Sequence, residues 1–373
     1  MGKSPTFDAG SWGIETSVDY IIVGQGLAGS ALALELAQRG ARVAVFDEPE
    51  RNQCTTVAAG LCNPITGKGL AKTWLADQLF PYLRQFYLRA EALTQQRFFY
   101  PAHVYRPFLT VEEQNEWMAH STEPHMAPYV QAVFTRPAFP GHVHDPLGGL
   151  LIGQAGYVHT PIFRDAVQNW LRHHHIYRSE NWDDGALEWT AHGVRAKGIS
   201  AKAIVFCQGV ASLSSRWFSW VPIQPLKGET LTVRLASAPE AILNRGVYAV
   251  PSTVPGLHTV GATYNWRSPS PATTPAARTE LSEGLRALTP LLFEITDQQW
   301  GLRPTIPDRR PVLGPHPQEK RVYLFNGLGT KGVSLSPYFA GQLADMLMGN
   351  SEGNPAVNIS RFYPLYSKSQ KQV

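Results

Sequence analysis

Glycines at positions 24, 26 and 29 stand between an apolar run, Asp19-Tyr20-Ile21-Ile22-Val23, and an Ala/Leu-rich stretch over 30–39. The run reads as a buried parallel strand, and the stretch, stopped by Gly40, as a helix. Residues 42–46 predict a second strand, closed by Asp47. Strand, G-x-G-x-x-G, helix, strand and acid together define a βαβ dinucleotide-binding unit. Gly24 permits the tight turn, Gly26 admits the pyrophosphate to the backbone, and Gly29 lets helix and strand pack closely. The first helical N–H groups, with Leu27 and Ala28 among them, then face the diphosphate. Asp47, eighteen residues beyond Gly29, is placed to bond a ribose diol. An ordinary strand–turn–helix would need neither the spacing nor the acid. The motif does not separate FAD from NAD.

The chain has 373 residues, 43% hydrophobic and 17% charged, enough for a large core or two interleaved ones. Lys and Arg exceed Asp and Glu by only 33 − 29 = +4, and no basic cluster stands out, so no nucleic-acid partner is expected. Cys54, Cys62 and Cys207 are an odd set without CxxC spacing, which implies no disulfide framework and no zinc. His173-His174-His175 point in different directions at a helix end and suit its dipole better than a metal; no metal is expected. Residues 1–17 read as a polar tail, no run is long enough to span a membrane, and a cytoplasmic protein is expected.

Helical spacing predicts helices within 73–96, with Pro81 near a start, and over 112–120, 162–174, 278–292 and 336–348. Strands are expected within 98–110 and over 203–207, 231–235, 248–262 and 323–325; 134–149 and 269–275 read as loops. Parallel-type strands at both ends and alternating strands between them imply an α/β fold, a Rossmann-like unit interleaved with a mixed-sheet domain. We assign 18–88, 151–222 and 299–366 to the former and 89–150 and 223–298 to the latter. A second glycine-rich turn, Gly327-Leu328-Gly329-Thr330-Lys331-Gly332, lies between a strand and a helix. Its N–H groups could stabilise the charge that builds on N1 and O2 of a reduced flavin, which favours FAD.

On several ordered blocks the chain resembles the D-amino-acid oxidase superfamily, in its glycine oxidase and sarcosine oxidase branch. Thr55-Thr56-Val57-Ala58-Ala59-Gly60-Leu61 is similar to the family's loop facing the flavin ring, and Pro225-Leu226-Lys227-Gly228-Glu229 to its P-x-K-G-E turn. Tyr248-Ala249-Val250-Pro251 with Val260-Gly261-Ala262-Thr263, and Trp300-Gly301-Leu302-Arg303-Pro304 with Asp308 and Gly314, resemble its later blocks. The resemblance implies an FAD-dependent oxidation of an amine or amino acid at the carbon bearing nitrogen. A hydride passes to flavin N5 and the imine is hydrolysed. It implies FAD held non-covalently by Gly24, Gly26, Leu27, Ala28, Gly29, Asp47, Ala58, Ala59, Gly60, Leu61, Gly209, Gly327, Gly329, Thr330, Lys331 and Gly332, with Arg303 at the flavin's substrate side.

By the same resemblance, Arg303 holds the substrate carboxylate in a planar fork, and Tyr248 supports it with its hydroxyl. The bland alternatives are an Arg303–Asp308 structural pair and a half-buried strand tyrosine. Arg106 falls where the substrate domain lines the cavity, or is a solvated strand arginine. Lys331 either aids flavin O2 or faces solvent. Thr259 replaces the lysine that speeds reaction with oxygen in sarcosine oxidases, so the electron acceptor, oxygen or another, stays open. Residues 63–68 depart most from the family pattern. Two further readings remain: a flavin enzyme trimming a carboxymethylamino group on a large substrate such as modified tRNA uridine, and a non-catalytic flavin-binding protein.

Overall fold

Apolar side chains on both faces bury the Tyr20–Val23 strand completely, from 0 to 5% exposed. It lies inside a six-stranded sheet ordered Ile176–Ser179, Val43–Asp47, Tyr20–Val23, Ala203–Phe206, Val322–Asn326, Val312–Pro315. All pair in parallel except the last. The computed structural model describes residues 16–48, 54–67, 71–266 and 270–370. Helices Leu27–Gln38, Ala76–Thr94, Thr160–His174 and Gly332–Leu347 pack on one face of this sheet. On the other, Phe46, Phe206 and Phe218 meet a small sheet built from Leu187–Thr190, Gly193–Ala196, Ile199–Ala201 and Thr16–Ser17. Truncating one of these rings would cost about 3–5 kcal/mol.

The polar tail expected to run to residue 17 gives its last two described residues to that small sheet, where Thr16 and Ser17 pair with Ile199 and Ser200. Backbone pairing needs no apolar side chain. Residues 1–15 and Lys68 lie outside the described residues. Pro81, expected near a helix start, sits inside the single helix Ala76–Thr94. The last long helix begins at Gly332 rather than near 336, because the glycine turn already curls as a 3-10 turn, Gly329–Lys331, and runs straight into it.

The second sheet has eight strands, in the order Phe293–Thr305, Gln224–Leu235, Leu257–Gly261, Val247–Pro251, Ile242–Arg245, Val104–Pro107, Gly149–Ile152, Val130–Phe134. Its strands alternate. Tyr105, Leu243, Val247, Ala249, Leu231 and Val233 face the helix Pro275–Leu288. Val104, Ile242, Val250 and Leu150 face the other way and join the core of the nucleotide unit. The strand expected over 231–235 begins at Gln224, and the block read as a P-x-K-G-E turn is extended strand paired from Gln224↔Thr305 to Leu235↔Phe293. A buried ion pair, Lys227 Nζ to Glu229 Oε1 at 3.1 Å, anchors this polar segment. The Phe293–Thr305 strand runs across the 298/299 boundary and belongs wholly to this sheet.

Candidate active site

Three neighbouring parallel strands lead into glycines with left-handed backbone: Gly24 (φ +96°) and Gly327 (φ +74°) directly after their strands, and Gly209 (φ +55°) three residues after its own. Gly24 and Gly29 are fixed by close approach. A Cβ on Gly24 would lie 2.7 Å from the Cys207 carbonyl oxygen, and one on Gly29 only 1.9 Å from that of Gly24. At Gly26 the nearest atom is the Thr55 hydroxyl, at 3.2 Å, so its missing side chain leaves the backbone open to approach. Thr55 Oγ1 accepts the Leu27 N–H at 3.1 Å. The Leu27–Gln38 helix has no side-chain cap and no acid in its first turn. An open glycine ahead of a helix N-terminus whose own cap residue offers no side-chain acceptor, with Thr55 taking the Leu27 N–H, fits a diphosphate.

Asp47 ends its strand almost fully buried and accepts the Gln25 N–H at 2.8 Å. The carboxylate thus clamps the glycine turn. Tyr177, whose hydroxyl points at Asp47, has its pKa pushed up to about 12 by burial and then by that charge. The sequence reading missed Asn326. Its Nδ2 donates to Gly209 O at 2.8 Å and Ser212 Oγ at 2.9 Å, and its Oδ1 accepts the Gly327 N–H at 2.8 Å. One amide therefore ties two of the three strand-end turns together.

Lys331 does not simply face solvent: Nζ donates to Thr66 Oγ1 at 2.9 Å and Thr73 Oγ1 at 3.1 Å, and burial lowers its pKa. Thr330 beside it is exposed. The Ala58–Leu61 segment lies against the Gly156–Val158 strand. Ala58 O accepts the Thr160 hydroxyl at 2.8 Å, and a Cβ on Gly60 would strike Val158 O at 1.8 Å. The histidines at the end of Thr160–His174 cap it, with the Nδ1 atoms of His173 and His174 bonded to the Asn169 and Trp170 carbonyls. Among the described residues no group of three or more His, Cys, Asp or Glu is placed to hold a metal.

On the eight-stranded sheet, Arg303 pairs in register with Leu226 and lays its guanidinium across Gly228. Nη1 donates to Thr263 O at 3.1 Å, and the group stands 5.1 Å from the centre of the Tyr264 ring. Asp308 is not its partner; that carboxylate pairs with Arg361 at 2.9 Å. Tyr248 lies over Gly261, where a Cβ would come within 2.5 Å of its hydroxyl. Burial pushes the Tyr248 pKa up to about 12, with the Arg303 charge opposing, so the phenol stays protonated at neutral pH. Cys54 and Tyr264, neither singled out from the sequence, complete this cluster. Burial raises the Cys54 pKa, with Arg303 opposing, and keeps it a neutral thiol rather than a nucleophile. Its backbone sits 3.2 Å from where a Gly301 Cβ would be.

Fold and site define a two-part flavoprotein, a dinucleotide cradle facing a mixed sheet that carries an arginine and a tyrosine. The family described as FAD dependent oxidoreductase (DAO) matches residues 19–346, and the chain belongs to it. It is an enzyme of that family, with FAD as its cofactor. It is 26% identical over 376 residues to the bifunctional protein ThiO/ThiG of Nostoc sp., covering 95% of this chain and 55% of the relative. It is also 26% identical over 384 residues to the tRNA 5-methylaminomethyl-2-thiouridine biosynthesis bifunctional protein MnmC of Marinobacter nauticus, covering 93% and 58%. The chain thus spans little more than half the length of these curated relatives. The crystal structure of glycine oxidase from Geobacillus kaustophilus superposes with a TM-score of 0.77 at 22% identity, covering 93% of this chain and 99% of that one. No described helix is long and apolar enough to cross a membrane.

Proposed function

We propose that this enzyme oxidises the C–N bond of a small amine that bears a carboxylate, such as an amino acid. The observation that carries the reading is Arg303: a half-buried guanidinium whose hydrogen bond goes to a carbonyl, beside a protonated Tyr248. Such a pair binds a carboxylate by a charge-assisted fork and a neutral donor. Cys54 adjoins Gly301 on this sheet, and the next residue, Thr55, accepts the Leu27 N–H of the cradle. When bound, FAD supplies the electron sink for the hydride that leaves the carbon bearing nitrogen. The chain's own part is to hold the carboxylate, so that this carbon is fixed in position. We assign the six-stranded unit to FAD and the eight-stranded sheet to the substrate. Anaerobic bleaching of the flavin by a panel of amines and amino acids tests the reading. Carboxylate-bearing amines should bleach it, and Arg303→Ala should abolish this with FAD retained. Bleaching by simple amines, unaffected by that substitution, refutes it.

A second reading, a carboxymethylamino group on a modified tRNA base, has one observation in its favour. Tyr264 and Trp266 are 61% and 58% exposed, at Arg303 and just beyond it, and exposed aromatic rings can stack a base. Flavin bleaching only by the modified nucleoside or tRNA would select it.

A further inference from the structure

Across the eight-stranded sheet, one transverse row of residues faces the nucleotide unit. Gln299 pairs with Thr230, Thr230 with Gly261, Gly261 with Tyr248 and Tyr248 with Asn244. The parallel register Ile242↔Val104 and Leu243↔Tyr105 carries Asn244 alongside Arg106, which pairs with Leu150. Alternation with Tyr105, which faces the helix Pro275–Leu288, turns Arg106 to the Tyr248 side. Two strand spacings, roughly 10 Å, separate the two backbones, and the arginine's long side chain can shorten that gap at its tip.

Arg106 is half-buried, and its Nε is fully shielded from solvent with no hydrogen-bond partner. Among the described residues, the one carboxylate beside it, Glu113, is already engaged twice. Glu113 commits Oε1 to Arg245 at 2.5 Å and Oε2 to the Leu109 N–H at 3.0 Å. Two guanidiniums therefore share one carboxylate. Burial lowers the Arg106 pKa to about 10, the Arg245 charge adding to it and Glu113 opposing. A half-buried cation left unpaired is costly unless an anion arrives from outside.

We infer that Arg106 is a second anion subsite, which takes a second carboxylate of the same substrate whose first carboxylate lies on Arg303 and Tyr248. The substrate class is then an amino-dicarboxylic acid rather than a simple amine or glycine-like acid. The inference rests on the proposed function.

The FAD-loaded enzyme is tested with non-oxidisable acids: succinate, glutarate and adipate against propionate, butyrate and valerate. Affinity is read from the shift of the flavin spectrum and separately by calorimetry. At least one dicarboxylate should bind about ten- to a hundredfold tighter than its matched monocarboxylate, as expected for one charge-assisted bond. Arg106→Gln should erase that preference, leave monocarboxylate binding unchanged and not lower Tm, since it removes an unpaired charge. Arg106→Lys should keep only part of the preference, because the fork is lost. Arg303→Gln should weaken both kinds of acid. A wild type without the preference, or an Arg106→Gln variant that keeps it or melts earlier, overturns the inference; Arg303-dependent monocarboxylate binding would still support the proposed function. If no acid binds, both fall.

Discussion

Replacing Gly228 with alanine displaces Arg303 without altering it. The new Cβ would stand 2.2 Å from Arg303 Nη2 and 2.3 Å from both Nη1 and Cζ. Ordinary contact needs about 3.5 Å, so the guanidinium must retreat by about 1 Å or more. It can do so, because the guanidinium is the far end of a flexible side chain and not backbone. The strand itself should hold. Its pairing from Gln224 to Leu235 is made by the backbone, and alanine is easier to order than glycine by about 0.5–1 kcal/mol. Retreat would break the 3.1 Å bond to Thr263 O and misplace the carboxylate fork. A misplacement of that size costs on the order of a hundredfold. The expected phenotype is normal FAD content, Tm within a few degrees of wild type, and carboxylate affinity about a hundredfold weaker. Titration of the flavin spectrum with a monocarboxylate, beside a thermal melt, measures it. Unchanged affinity would show that Arg303 does not hold the carboxylate. Lost FAD or a collapsed melt would show that the clash reaches the backbone and that the guanidinium is structural.

Asp47→Ala should weaken FAD by about 1.5–3 kcal/mol, the scale of a charged hydrogen bond, by equilibrium titration of apoprotein; the freed Gln25 N–H adds to the loss. Electron transfer to oxygen should be slow against transfer to an artificial dye if, as the resemblance to sarcosine oxidases implies, Thr259 replaces an oxygen-activating lysine; stopped-flow reoxidation decides this. His316, enclosed by Trp217, Trp220 and Tyr366, has its pKa lowered from 6.5 to about 4 by burial, the Lys320 charge adding to it. A depressed histidine pKa means the unfolded chain binds the proton first. This contribution should therefore be complete above pH 6.5 and fall away from there toward pH 4, with His316→Gln flattening the melt-versus-pH curve in that window.

The nucleotide unit was legible because its signals are local. A continuous apolar run, three spaced glycines and an acid lie within one βαβ stretch, and each requires the same geometry. The substrate sheet was not, since its register joins segments far apart in the chain. Pro225-Leu226-Lys227-Gly228-Glu229 has the composition of a turn. Only the tertiary pairing with Trp300 to Pro304 and the buried Lys227–Glu229 pair make it a strand. Asn326 gave no signal, since an asparagine after an apolar strand is common, and two of its three bonds go to a turn more than a hundred residues away. Arg106 could be weighed only as a cavity or surface residue until the strand order placed it in the Tyr248 row.

Local rules fail on this sheet at one place, and for one reason. Glycine weakens a strand interior, yet Gly228, Gly261 and Gly301 all sit within strands beside the site. Each lies under a group that the site uses or packs against: the Arg303 guanidinium at Gly228, the Tyr248 hydroxyl at Gly261, and the Cys54 backbone at Gly301. A Cβ at any of the three would lift that group off the sheet. The absent side chains let an arginine and a tyrosine lie flat across neighbouring strands, and let the short helix Cys54–Val57 approach the sheet from the nucleotide unit. About 0.5–1 kcal/mol of lost strand stability at each glycine is the scale of what this flatness costs.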